Sequence, residues 1–178
     1  IQKPILKALQ QSNGAVLLID EIDRSDEAFE AYLLEALSDY QVSIPELGTV
    51  RSETIPIVIL TSNGTRDLSD ALRRRCLYHY IEYPDVSRET DILRLKVPDA
   101  DLRLIEQAAQ FVSTLRKEDL EKKPGIAESI DWLKALMLCG FQSMPDDPHL
   151  IRGSLSCLIK TARDRVDVND DMLQRLLV

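Results

Sequence analysis

Two short apolar runs that end abruptly in polar residues limit what this chain can fold into. Ala15-Val16-Leu17-Leu18-Ile19 leads straight into Asp20-Glu21, and Ile57-Val58-Ile59-Leu60-Thr61 into Ser62-Asn63-Gly64. Continuous runs of this length predict strands buried on both faces, as in a parallel sheet covered by helices. Such a sheet places whatever follows each strand at its carboxyl edge, where ligands of open α/β sheets bind.

The intervening and following segments fill in an α/β order. Ile5 to Gln11 reads as the end of a helix stopped by Ser12-Asn13-Gly14. Ser25 is a suitable N-cap, and Asp26 and Glu27 suit the positive end of the helix it would open. Phe29, Leu33, Ala36, Leu37 and Tyr40 then recur at helical spacing. Alternation in Gln41 to Ile44, a break at Pro45 to Gly48, and resumption at Thr49 predict a β-hairpin over 41–54. A short helix with Leu68, Ala71 and Leu72 leads to Arg73-Arg74-Arg75, and Leu77 to Tyr83 predicts a third strand closed by Pro84.

After Pro84 the strand signals stop. Helices are predicted over 87–96, 99–117, 126–139 and 151–164, with a short one near Met172, and Gly140 is placed to end the third. The chain is thus expected to divide into an α/β core over 1–85 and an all-helical part over 86–178. The charged loop from Glu118 to Gly125 is expected to be exposed to solvent.

Composition narrows the function classes. A length of 178 residues with 44% hydrophobic and 29% charged residues fits a soluble globular chain, either one medium domain or a core with a small satellite. The net charge of -8, with no basic run, disfavours direct contact with a nucleic-acid backbone. Cys76, Cys139 and Cys157 are far apart, and His79 and His149 stand alone, so neither a zinc site nor a disulfide framework is expected. Reduced thiols point to the cytosol. No apolar stretch approaches the roughly 20 residues that span a bilayer, and no signal peptide opens the chain. The first residue is Ile1, so a fragment or a processed product is expected.

The strand ends carry the chemistry. A carboxylate at Asp20 can hold Mg²⁺ directly or through water, and Glu21 can accept a proton from an attacking water. An amide at Asn63 can hydrogen-bond a phosphate oxygen or that water without adding charge. Arginines are permanently charged and bridge phosphate oxygens bidentately, which makes Arg73 and Arg75 candidates. A plainer account exists for each: acids that end a strand and cap the next turn, a turn built from Ser62-Asn63-Gly64, and a basic helix end that meets the helix dipole.

The string Asp20-Glu21-Ile22-Asp23-Arg24-Ser25 after its apolar run resembles the Walker B segment of AAA+ ATPases, especially the MoxR branch. Ile57 to Asn63 resembles the sensor 1 strand, with Asn63 as sensor 1. Ala71 to Cys76 resembles the arginine-finger segment, with Arg75 as the finger and Arg73 as a helper. The hairpin lies where this branch inserts one before sensor 1; Ile44, Glu46 and Leu47 would face a pore or substrate there, or the element is an ordinary surface hairpin. Lys123 to Trp132 looks like the CoxD-like relatives, linked to carbon monoxide dehydrogenase assembly. Trp132 with Ile126, Ile130, Leu133 and Leu136 is most simply a packed helix face. Sensor 2 would fall at Gly153, with Arg152 adjacent as a nucleotide contact. The resemblance implies a partial AAA+ sheet with flanking helices and a helical lid. It further implies ATP with Mg²⁺, a homo-oligomeric ring (often a hexamer), a protein client matured by ATP hydrolysis, and a von Willebrand factor A domain partner.

Three features depart from the pattern. Gly64 stands where relatives often have proline, and Cys76 where they have phenylalanine. No GxxxxGK[ST] phosphate loop occurs in the 178 residues. The family strand before that loop lies between the sensor 1 strand and the final one, so Leu77 to Tyr83 is expected to lack a neighbour. A longer polypeptide or another chain would fill the gap, and the 178 residues alone are expected to hydrolyse ATP poorly. Two other functions stand beside the ATPase: a non-hydrolysing interaction module that kept the AAA+ shape, and a motor acting on nucleic acid. The acidic balance weighs against the last.

Overall fold

The structure, a computed structural model, describes residues 2–44 and 48–177. The chain divides into two compact units, Ile1–Tyr80 and Ile81–Val178.

In the first unit, helix α1 (Gln2–Leu9) precedes strand β1 (Val16–Ile19). A 3-10 turn (Ile22–Arg24) then leads into α2 (Glu27–Asp39). The cap of α2 is Asp26, not the predicted Ser25: the Asp26 carboxylate accepts from the Phe29 N–H at 2.7 Å. Ser25 closes the preceding turn instead, its hydroxyl donating to the Ile22 carbonyl at 2.7 Å. The hairpin forms as β2 (Gln41–Ile44) and β3 (Gly48–Arg51), antiparallel with Gln41 opposite Arg51. Of the tip residues, Glu46 and Leu47 lie outside the described residues. Strand β4 (Ile57–Leu60) pairs parallel with β1, in the register Val16–Ile57 to Ile19–Leu60. The short helix α3 (Asp70–Arg73), capped by Ser69, completes the unit.

One face of the β1–β4 pair is covered and the other is not, which corrects the expectation of strands buried on both faces. Leu17, Ile19 and Leu60 pack toward a core of Ile5, Leu9, Ile22, Leu33, Val42 and Leu72. On the opposite face Val16 is 67%, Leu18 59%, Ile57 64% and Ile59 48% exposed. These side chains are as apolar as the buried set, so the sequence could not tell the faces apart. The predicted third strand also differs: residues 77–83 carry no strand, and Leu77, Tyr78 and Ile81 are exposed. A strand is defined by its ladder, and no neighbour for this one exists among the described residues.

The second unit is helical. It contains α4 (Val86–Lys96), α5 (Leu102–Leu115), α6 (Ile126–Leu138), α7 (Pro148–Arg152), α8 (Ala162–Asp167) and α9 (Asp170–Leu176). Trp132 and Phe111 sit at the core with ring centroids 4.7 Å apart, and the Trp132 indole N–H donates to the Ser154 hydroxyl at 2.9 Å. Gly140 ends α6 as predicted, at φ 84°, with Phe141 N–H bonding back to the Leu136 carbonyl.

The helix predicted over 151–164 is broken into α7, a 3-10 turn (Ser154–Cys157) and α8. Ser154 donates to the Ile151 carbonyl at 2.7 Å, and Thr161 leaves the helical conformation to cap α8. Both are side chains that compete with the backbone for helix bonds. The loop after α5, expected to be exposed, is tied down. Leu120 is buried, and the buried Asp164 carboxylate accepts from the Glu121 and Lys122 N–H groups at 2.7 and 3.1 Å. Burial pushes the Asp164 carboxyl up, but these bonds and Thr161 outweigh it and hold it below the usual range.

A buried ion pair joins three of the helices. Arg116 grips Glu89 through two bonds of 2.5 and 2.9 Å, and its Nε donates to the Pro124 carbonyl at 2.8 Å. Ser129 donates to the same carboxylate at 2.7 Å, and the guanidinium lies 4.7 Å above the Tyr83 ring. Removing one partner strands the other charge in an apolar core. Glu89→Ala should therefore lower unfolding free energy by about 3–5 kcal/mol, measured by urea titration. Replacing Glu89 and Arg116 together by leucine and methionine should cost far less.

Candidate functional site

The ends of β1 and β4 are stitched together by backbone and side chain. Thr61 N–H donates to the Ile19 carbonyl at 3.0 Å, and Ile22 N–H to the Thr61 carbonyl at 2.9 Å. The Thr61 hydroxyl sits between the two acids: it donates to the Asp20 carboxylate and accepts from Glu21 N–H at 3.0 Å. Glu21 adopts a left-handed backbone conformation, φ 53° and ψ 48°. A non-glycine residue there costs on the order of 1–3 kcal/mol and persists only where neighbours over-determine it. The Thr61 bonds on both sides of Glu21 supply that constraint.

From this kink the Glu21 side chain reaches the β4 end. Its Oε1 accepts from the Asn63 side-chain amide at 3.1 Å, and its Oε2 lies 3.3 Å from the Arg24 guanidinium. Asp20, Glu21 and Asn63, selected from sequence, thus meet at the carboxyl edge of one parallel strand pair. An open groove of about 560 Å³ borders Asp20 and Glu21, lined also by Ile5, Leu17, Arg24 and Phe29.

The loop after Asn63 is held from below by two buried acids. Asp23, 2% exposed, accepts from the N–H groups of Asn63 and Thr65 at 3.3 and 2.9 Å and from the Thr65 hydroxyl at 2.6 Å. Gly64 lies between at φ 71°, a left-handed turn that lets both N–H groups face one carboxylate. Glu30 pairs with Arg66 at 2.5 Å and accepts from Ser69 N–H at 3.3 Å. Arg66 also donates to the Ser25 carbonyl at 2.6 Å. The hydrogen bonds from Thr65 and from Asn63 hold the Asp23 carboxyl at about 2, against an ordinary 3.8. Burial pushes Glu30 up, but the Ser69 and Arg66 hydrogen bonds outweigh it and keep its carboxyl below the usual range.

The arginines lie elsewhere. Arg75 Nε donates to the Ser38 hydroxyl at 2.7 Å and its NH1 to the Ala71 carbonyl at 3.0 Å, so it lies along α2 and caps α3. Arg73 meets Asp70 at 3.4 Å, one turn back on its own helix. Arg152, in the second unit, pairs with Asp170 at 3.1 Å. Cys76 is half-buried against the first core, where burial pushes its thiol up.

Sequence reasoning passed over Thr61, Asp23, Thr65 and Arg66 as parts of the site. Thr61 had a signal, a hydroxyl closing an apolar run beside a strand that ends in acids. Asp23 had a weaker one, since a third acid after Asp20-Glu21 is unremarkable until its burial is known.

The donors around Asp20 are a carboxylate and a hydroxyl, both hard oxygens. They suit Mg²⁺, which takes one or two carboxylates and completes its shell with water and phosphate oxygens. No group of three His, Cys, Asp or Glu side chains able to hold a metal occurs among the described residues, so an all-protein cage is absent from them. No described helix is long and apolar enough to cross a membrane.

No family model matches this chain, and no curated protein matches it. Among solved structures, a point mutant of RuvB from Thermotoga maritima, an AAA+ ATPase, superposes with a TM-score of 0.55 at 19% identity. The match covers 92% of this chain and 55% of that one, so the chain spans about half the length of the RuvB structure. The fold is that of AAA+ proteins, an α/β unit with a small parallel sheet and many helices.

The Asp23 geometry sets a pH dependence. Its folded pKa lies below the ordinary value, so its contribution is present above 3.8 and is lost as pH falls toward about 2. Asp23→Asn should flatten the fall in urea midpoint across that window. A parallel loss in both proteins would show that Asp23 titrates normally.

Proposed function

We propose that this chain carries the water-activating half of an AAA+ ATPase site, of MoxR type, which drives remodelling or maturation of a client protein. The observation that carries the reading is the Asn63 amide bonded to Glu21 at 3.1 Å, beside an Asp20 carboxylate held by Thr61, at neighbouring strand ends. Asp20 is the Mg²⁺-holding acid, with water and nucleotide phosphates completing the shell. Bound Mg²⁺ and ATP supply the electrophilic phosphorus and neutralise its oxygens. Glu21 accepts a proton from the attacking water, and Asn63 orients that water or a γ-phosphate oxygen. In phosphoryl transfer such positioning and charge compensation are most of the catalysis.

Arg75, with Arg73 as helper, is assigned to a neighbouring protomer's nucleotide in a homo-oligomeric ring. Its exposure supports this, because only its bonds to the Ser38 hydroxyl and the Ala71 carbonyl need be displaced to free it. Arg152 is assigned to nucleotide in the helical unit, where it would exchange its exposed partner Asp170 for phosphate. The phosphate-cradling loop would come from polypeptide outside these 178 residues. The MoxR and CoxD-like branch, the protein client and the von Willebrand factor A domain partner rest on the strings at Ile22–Ser25 and Lys123–Trp132.

A second reading, a non-hydrolysing interaction module, is favoured by one observation. Both oxygens of Glu21 are already engaged, by Asn63 and by Arg24. The two readings part on one variant. In the full-length protein Glu21→Gln should reduce ATP turnover by about 10²–10⁴-fold while nucleotide binding, read by fluorescent ATP analogue titration, is kept. Unchanged turnover would refute the role given to Glu21. For the ring, Arg75→Ala should lower turnover by about 10³–10⁵-fold. Mixing it with Glu21→Gln protomers should restore part of the rate. No recovery on mixing would argue against a finger acting between protomers.

A further inference from the structure

We propose that Asp23 is the positioning residue of this site: its buried carboxylate sets the Asn63 loop and, through it, the contact between Asn63 and Glu21. The proposal rests on the ATPase reading above and deepens it.

Asn63 is exposed and sits on a loop that no strand ladder holds. An exposed amide on a free loop would sample many rotamers and reach Glu21 only part of the time. Here the loop backbone is fixed on both sides of Gly64, because the N–H groups of Asn63 and Thr65 converge on the two oxygens of Asp23. Asp23 itself cannot drift. It lies in the 3-10 turn immediately after Glu21, and Ile22 within that turn is bonded through its N–H to Thr61. One rigid turn therefore presents Glu21 to solvent and Asp23 to the interior. The two residues that must meet, Glu21 and Asn63, are referenced to the same piece of backbone.

The chemistry of the contact requires an ionised carboxylate. Three donors point at Asp23, two from backbone and one from the Thr65 hydroxyl. An asparagine amide of the same shape would present its own N–H₂ to a backbone N–H, and donor would face donor. The Arg66–Glu30 pair anchors the far end of the loop, so the loss of Asp23 would free the Asn63 end while leaving the rest attached. The expected defect is local to catalysis.

The test is a double-mutant cycle on steady-state ATP hydrolysis by the full-length protein. Asn63→Ala and Asp23→Asn should each lower kcat by about 100-fold, with KM for ATP shifted less than about threefold. If Asp23 acts through Asn63, the double variant should be no slower than Asn63→Ala by more than about threefold. Losses that multiply, or a raised KM with kcat kept, would overturn the proposal, since either assigns Asp23 a separate or purely structural part. Glu21→Gln run alongside separates the two levels. If it turns over ATP at the wild-type rate, the ATPase reading falls and this proposal with it. If it is inactive while the Asp23 and Asn63 losses multiply, only the proposal falls. Should Asp23→Asn fail to fold by circular dichroism, Thr65→Val replaces it in the cycle. It removes one of the three donors and should lower kcat by about 3–10-fold, again without adding to Asn63→Ala.

Discussion

Two parallel strands of four residues make a weak ladder, and what keeps their ends in register is the pair of bonds around Thr61. A two-stranded element is marginal on its own, and strand ends fray first. Here the hydroxyl of Thr61 joins Asp20 to the backbone of Glu21, while its N–H and carbonyl bond across to β1 and to Ile22. These contacts hold Glu21 in the left-handed region, and the two adjacent carboxylates take different partners, Thr61 for Asp20 and Asn63 for Glu21. Side chains of neighbouring residues in a strand point to opposite faces in any case. The kink goes further, sending Glu21 sideways to Asn63 and keeping Asp20 at the strand tip.

Much of this was legible in the sequence because it is local. The two apolar runs gave the strands, the turn residues gave the hairpin, and the 3.6-residue periodicity gave α4, α5 and α6 within a few residues. The acids and the amide could be placed at one edge because parallel strands share a carboxyl end. What the sequence hid depends on partners far away in the chain. Ser25 and Asp26 are equally good caps on paper, and the choice fell to Asp26 because Ser25 was already closing the 3-10 turn. The run at 151–164 has helical periodicity throughout, yet Ser154 and Thr161 divert its backbone bonds. Asp23 reads as one more surface acid until a loop some forty residues later is laid over it.

Buried carboxylates recur with one logic in both units. Asp23 and Asp164 each collect backbone N–H groups from an irregular loop, and Glu30 and Glu89 each collect an arginine with a further donor. Loops carry backbone groups that no ladder satisfies, so an ionised acid accepting several donors is an efficient clamp. This explains how a chain with net charge of -8 keeps several acids out of water. It also explains why the loop at 118–125, charged and proline-terminated, is held down.

The uncovered face of β1 and β4 bears on how the unit is completed. Parallel sheets are found almost only with both faces covered, yet Val16, Leu18, Ile57 and Ile59 form an apolar surface open to solvent. Leu77, Tyr78 and Tyr80, also exposed, add to the apolar area of the same unit. A helix laid on the sheet face would bury these side chains, each contributing about 1.5–3 kcal/mol when fully covered. Covering the apolar face would supply the second layer that a parallel sheet ordinarily has.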